Sequence, residues 1–232
     1  MATFLELAQD VAAESGTVTG VIAQPLTVVG QTGRLGLIVG WTAEAYSALQ
    51  THRPSWQWMQ GEFETALTIG QQRYTTADLS LTRPAGFTAR DCLVSIYDND
   101  IGTSDEGSIE IMDWDAFYVR CLVGGVRSQT GKPQIASIDP SGKIALWPTP
   151  DKAYMIHGMY RKAPQTLAAD ADEPEMPARF HPLIKWRALI YLAQYDESMN
   201  QFPLWNMEYR RMLNELEHDQ LPKISASMGT FA

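Results

Sequence analysis

Behind Thr3-x-x-Glu6, apolar residues recur three or four positions apart at Phe4, Leu7, Ala8, Val11 and Ala12. That spacing predicts an amphipathic helix with a capping box, ending near Ser15-Gly16. Residues 17–30 are rich in Gly, Thr and Val and contain Pro25, so they read as a loop. A second helix is expected from near Thr32, with Leu35, Ile38, Trp41, Ala45 and Leu49 on one face, stopping before Pro54. Gly33, Gly36 and Gly40 sit inside it, each costing about 1 kcal/mol relative to Ala. Close packing of another element would offset that cost. Contact with a neighbouring subunit is one such case, so Gly33, Gly36, Gly40 and Trp41 are candidate subunit-packing residues.

From Trp56 the period changes from 3.6 to 2. Met59, Phe63, Thr65, Leu67 and Ile69 alternate with Gln60, Glu62, Glu64 and Thr68, the pattern of a half-buried strand. A turn at Gly70 leads to a second extended piece, and 92–97 (C-L-V-S-I-Y) forms a strand closed by Asp98-Asn99-Asp100. Asp113 is expected to cap a short helix carrying Trp114, Phe117, Tyr118, Cys121 and Leu122. Three apolar runs, 133–138, 143–147 and 153–160, read as an antiparallel meander. Residues 170–177 are acidic and Pro-rich, the composition of a surface linker.

Helix returns at His181-Pro182, with Leu183, Trp186, Ala188, Leu189, Leu192 and Ala193 on a wide apolar arc reaching about residue 199. Another begins near Pro203, carries Leu204, Met207, Met212, Leu213 and Leu216, and ends around Asp219. Residues 221–232 have no periodicity and are expected to be an extended or flexible tail. The whole is an α+β fold, with a helical bundle from the N- and C-terminal helices, an inserted antiparallel β-rich domain and an extended C-terminal tail. The expected borders are 1–55, 56–168 with its short helix, 169–220 and 221–232.

Composition narrows what such a fold can do. The chain has 232 residues, 45% of them hydrophobic and 10% aromatic, enough for a packed core. Its net charge of −9 excludes a general attraction to phosphate backbones or anionic lipid. Seven Trp and ten Met suit extensive subunit contacts. Cys92 and Cys121 lack metal or disulfide spacing and read as reduced structural thiols. The first residues carry no basic and apolar leader, and nowhere do 18 apolar residues run together, so a soluble protein made in the cytosol is expected, with no membrane partner.

Catalytic motifs are absent. There is no G-x-S-x-G, and Gly125 to Lys132 departs from a phosphate loop by one residue between its glycines and by Pro133 after the Lys. His52, His157, His181 and His218 have no ligand-spaced neighbour, and the acids Asp98, Asp100, Asp105 and Glu106 do not follow a calcium loop. No catalytic, metal or cofactor residue is assigned. Glu62 and Glu64 share a strand face, as do Trp56 and Trp58. Two rival readings rest on these groups: a carbohydrate-binding or tail-fibre-like β-domain protein, and an enzyme of unknown class using acidic residues.

One set of segments says more. Gly131-Lys132-Pro133, Asp139-Pro140, Ile144-Ala145-Leu146-Trp147-Pro148-Thr149-Pro150-Asp151 with Tyr154, Tyr160-Arg161-Lys162-Ala163-Pro164, the acidic stretch to Met176-Pro177 and the helix through Trp186 and Tyr191 appear in order. At the other end stand Phe4-Leu5-Glu6-Leu7, Gly30-Gln31-Thr32-Gly33, Trp41 and Trp56-Gln57-Trp58. Together they resemble the head-to-tail adaptor proteins of tailed bacteriophages, also called connector or head completion proteins. The resemblance covers nearly the whole chain.

That resemblance implies a noncatalytic virion protein at the head–tail interface, assembled in the bacterial host cytoplasm. It implies a ring, usually of twelve copies, docked on the portal and joined to a downstream tail or nozzle protein, with genomic DNA passing through its lumen without specific binding. The tail is the expected portal or neighbour contact, through Leu221, Pro222, Lys223, Ile224, Met228 and Phe231.

Overall fold

In a computed structural model, residues 2–18, 23–53, 55–86, 94–197 and 200–221 are described. The first helices are α1 (Phe4–Glu14) and α2 (Gly33–His52). Then come β1 (Gln60–Ala66), β2 (Arg73–Tyr74), β3 (Pro84–Gly86), β4 (Val94–Asp98), β5 (Gly107–Ser108), β6 (Glu110–Ile111) and α3 (Trp114–Cys121). The order closes with β7 (Ile135–Ile138), β8 (Ile144–Trp147), β9 (Tyr154–Lys162), α4 (Pro182–Tyr195) and α5 (Phe202–Gln220). The fold is α+β, and the chain forms two compact units, 1–59 with 164–232, and 60–163.

The helical unit starts as its sequence requires. Thr3 Oγ1 accepts the Glu6 amide at 3.2 Å and the Glu6 carboxylate accepts the Thr3 amide at 2.8 Å, completing the capping box. α2 packs on α4, α4 on α5, and α1 on both α2 and α4. Phe4, Leu7 and Val11 of α1 meet Ile38, Tyr46 and Leu49 of α2, Leu183 and Leu189 of α4, and Leu216 of α5 in one core.

Trp56 and Met59 belong to this core too. Trp56 is fully buried, donates its indole N–H to the Leu49 carbonyl at 2.9 Å, and stacks on Trp58 with centroids 4.6 Å apart. Neither tryptophan lies on a strand face: a 3-10 turn, Gln57–Met59, precedes β1. The switch read at Trp56 therefore comes four residues late, because large apolar side chains just before a strand can serve either core.

The acidic stretch expected as a surface linker is a strap built into the helical unit. Its carbonyls at Asp172 and Asp170 accept the amides of Phe4 and Leu5, at 2.7 and 3.2 Å, filling two donors that a helix N-terminus leaves open. The Asp170 carboxylate accepts Thr27 Oγ1 at 3.0 Å and the Val28 amide at 2.6 Å. Leu167, Pro174 and Met176 are buried. Acidic, Pro-rich composition hid this role because its carboxylates work on backbone amides.

α4 and α5 also depart from the pattern. α4 stops at Tyr195, four residues before the expected end. On α5, Trp205, Met212 and Leu216 are buried, while Leu204 and Met207 stay exposed.

The second unit has three layers. One sheet runs β1-β9-β4-β5, with β3 also on β9; the other runs β2-β8-β7-β6. Pairing is antiparallel except between β6 and β7. Phe63, Val94, Ile96, Ile156 and Tyr160 from the first sheet face Tyr74, Ala136, Ile144 and Leu146 from the second. α3 covers the second sheet's far side through Phe117 and Cys121 on Ile135 and Ala145.

Three local expectations are corrected here. β7 and β8 form a hairpin, but β9 crosses to the other sheet, so the meander does not form. β8's open side is taken by β2, and Pro148 and Pro150 lack the N–H groups to extend the ladder. Ile69, assigned to the first strand's apolar face, lies beyond β1 and is exposed. Asp113 stands at the N-cap of α3 without a side-chain hydrogen bond there.

Candidate functional site

The first sheet's outer face comes from alternate residues of three strands. β1 contributes Glu62 and Glu64, β4 Ser95 and Tyr97, and β9 His157 and Met159, with Thr103 and Glu106 from the adjoining segment. Together they line an open hollow of about 750 Å³. The Tyr97 hydroxyl donates to Glu64 at 2.8 Å. Ser95 Oγ and Glu106 Oε1 each lie 2.8 Å from the same imidazole nitrogen, His157 Nε2.

That shared nitrogen decides the chemistry. A nucleophile–His–acid relay needs one partner on each ring nitrogen. Here both approach Nε2, so the arrangement is a hydrogen-bonded knot without the relay. Ser95 and His157 together hold the Glu106 carboxyl below its usual range.

Of the acids checked against a calcium loop, Asp98 and Asp105 carry lysine counter-charges. Asp98 accepts the Asp100 amide at 3.0 Å and Lys152 Nζ at 3.1 Å, which lower its pKa in that order. Lys132 binds Asp105 Oδ2 at 2.8 Å and lowers its pKa likewise. Burial of Asp139 would raise its pKa, but Ser141, the Lys143 amide and Arg73 outweigh it and leave the value lowered. Among the described residues no three His, Cys, Asp or Glu side chains are placed to hold a metal ion.

The remaining histidines and cysteine are structural in setting. His181 is buried; Ala2 donates its amide to Nδ1 at 3.3 Å, so Nε2 carries the proton toward the Met176 carbonyl at 3.1 Å. His52 meets Glu217 at 3.2 Å. Cys121 is buried and unpaired, and burial raises its pKa; Cys92 lies outside the described residues.

The glycines proposed for subunit packing separate into different cases. Gly33 has φ +60°, a left-handed conformation that favours Gly. At Gly36 an added Cβ would sit 2.7 Å from the Gln31 carbonyl oxygen of the same chain. Gly40 is exposed with nothing within 4 Å of that position. Close to it in sequence are Leu37 and Trp41, and the Trp41 ring lies 5.3 Å from Tyr195. Leu37 and Gly40 thus form a small exposed patch on α2 beside the partly buried Trp41.

Two further apolar projections escaped the sequence reading. Leu26 and Val29 stand out from a loop anchored by Asp170 and by Gln9, whose side chain donates to the Pro25 carbonyl at 2.8 Å. On and after α3, Tyr118, Val119 and Val123 are exposed. Alternation at Met155, His157 and Met159 could have pointed to the sheet face, whereas nothing local distinguishes Leu26. Leu221 is the C-cap of α5, and Pro222, Lys223, Ile224, Met228 and Phe231 lie outside the described residues. No described helix is long and apolar enough to cross a membrane.

Comparison with curated proteins finds no match. The model of the SU10 adaptor protein family, however, matches residues 2–229, spanning both units and the connections between them. The chain belongs to the SU10 adaptor protein family and is a phage structural adaptor.

Proposed function

We propose that this protein forms a ring at the virion head–tail interface, docks on the portal, connects it to a downstream tail or nozzle protein and lines a channel that retains and conducts the genome. The match over residues 2–229 carries this reading. Ring closure needs two different contact faces on each copy. The α2 face at Leu37, Gly40 and Trp41 is proposed as one, since an exposed helical Gly admits a neighbour's backbone closely. The segment following α5 is proposed to engage the portal or a neighbouring copy. A net charge of −9 suits a wall that repels phosphates and leaves DNA mobile.

Mass measurement in solution and negative-stain imaging with and without purified portal test the reading. A ring, of twelve copies by family precedent, seated on portal is expected. A monomer that ignores portal at micromolar concentrations would overturn it.

A further inference from the structure

β1 is an open edge. Leu67 donates its amide to the Tyr154 carbonyl at 2.7 Å, and β1 meets β9 in the register Thr65↔Ile156, Phe63↔Gly158, Gly61↔Tyr160. Bonded pairs recur every second residue in an antiparallel ladder, so Thr65, Phe63 and Gly61 spend their backbone groups on β9. Gln60, Glu62, Glu64 and Ala66 aim theirs the other way, where no strand pairs among the described residues. The end strands β5, β2 and β6 have two residues each, whereas β1 has seven and contains neither Pro nor Lys. Such an edge is a template for an added strand.

Its chemistry specifies the addition. Glu62 and Glu64 put two carboxylates on the outer face beside the open edge. Glu64 is engaged by Tyr97, and Glu62 has no hydrogen bond or ion pair among the described residues. A strand laid there needs a cation on its outer face and small or apolar residues on its inner one.

The chain carries a matching segment. Although residues 221–232 show no periodicity as a whole, the short run 223–228 within them alternates at the two-residue step of a strand: Lys223, Ser225 and Ser227 against Ile224, Ala226 and Met228. Lys223 is the one cation in that stretch. Donor and acceptor are different parts of the same chain, so the pairing is able to repeat head-to-tail around a ring.

We infer that residues 223–228 of one copy add to the open edge of β1 in a second copy, with Lys223 beside Glu62. This rests on the proposed ring assembly and identifies one of its contacts as main-chain pairing of the β-augmentation kind.

The test uses the full chain with purified portal, reading ring formation by sedimentation. Lys223→Glu should weaken assembly by about fivefold or more, and Glu62→Lys in the same chain should restore it. Glu64→Pro should block assembly and leave the unassembled chain folded, because the lost N–H faces the open edge. In mixtures of a Lys223→Cys protein with a Glu62→Cys protein, oxidation should give a disulfide-linked heterodimer. A doubly substituted chain that closes only on itself would refute pairing between copies. Should wild type form rings while Lys223→Glu and Glu64→Pro assemble equally well, this inference falls and the adaptor reading stands. Failure of wild type itself to assemble on portal overturns both.

Discussion

The helical unit and the β unit solve the same problem by different means. In the first, Trp56, Tyr46, Phe4 and Leu189 share one core, and the buried polar groups serve the backbone. Gln50 shows how: its Oε1 accepts the Gln165 amide at 2.6 Å and its Nε2 donates to the Gln165 carbonyl at 2.9 Å. The second divides its apolar residues between two smaller clusters and ties its turns with Asp98, Asp105 and Asp139, each held by a cation. Large apolar side chains on long helices make a single core, whereas short strands leave carboxylates to hold the connections. The helical unit also carries lowered carboxylates, at Asp172, Asp196, Glu217 and Asp219, but they lie outside its single apolar core, so the β unit should be the more sensitive to acid.

The largest effect expected from a substitution is in the helical core. Trp56→Ala removes a fully buried indole and its bond to Leu49, and should cost about 3–5 kcal/mol in chemical denaturation. A cost under 1 kcal/mol would mean that the core does not depend on this anchor. Next comes the strap. Gln50→Leu keeps the volume but leaves the Gln165 amide and carbonyl without partners, with a loss of about 2 kcal/mol read from the same transition.

Acidification tests the contrast directly. Folded-state pKa values of Asp98, Asp105 and Asp139 are lowered, so their contribution is present above the ordinary carboxylate range near 4 and is lost as pH falls through the folded values. Hydrogen exchange on the whole chain should show β4, β7 and β8 losing protection before α2 and α4 as pH drops from about 5 to 3. Asp139→Asn should cost about 1–3 kcal/mol at pH 7 and flatten that dependence. Parallel loss in both units would remove the distinction. The smallest effect belongs to Gly40→Ala. With open space for the methyl, it should stabilise the isolated chain by about 0.5–1 kcal/mol, while ring assembly weakens if a neighbour packs there.

Legibility followed range. The capping box at Thr3 and Glu6, the helices on either side and the strand at β4 depend on neighbours within a turn or a few residues, and their patterns stood in the sequence. The role of residues 170–177 did not, because the partners of Asp170 are Leu5, Thr27 and Val28, more than 140 residues away. The acids at 98–106 were visible as a cluster, but Lys132, Lys152 and His157 come from other elements.

By itself the sequence determined the α+β class, the helical starts and, except at α4, the stops, the acidic balance and, through ordered segments along the chain, the adaptor family. Tertiary structure decided which strands share a sheet, that β9 leaves β8 for β1 and β4, and that Trp56 belongs to the helices. It alone brought Ser95 and Glu106 onto one nitrogen of His157 and, among the described residues, left β1 with an open edge. Alternation tells a strand which face to bury but not which strand to join. That choice is made when distant segments compete for the same edge.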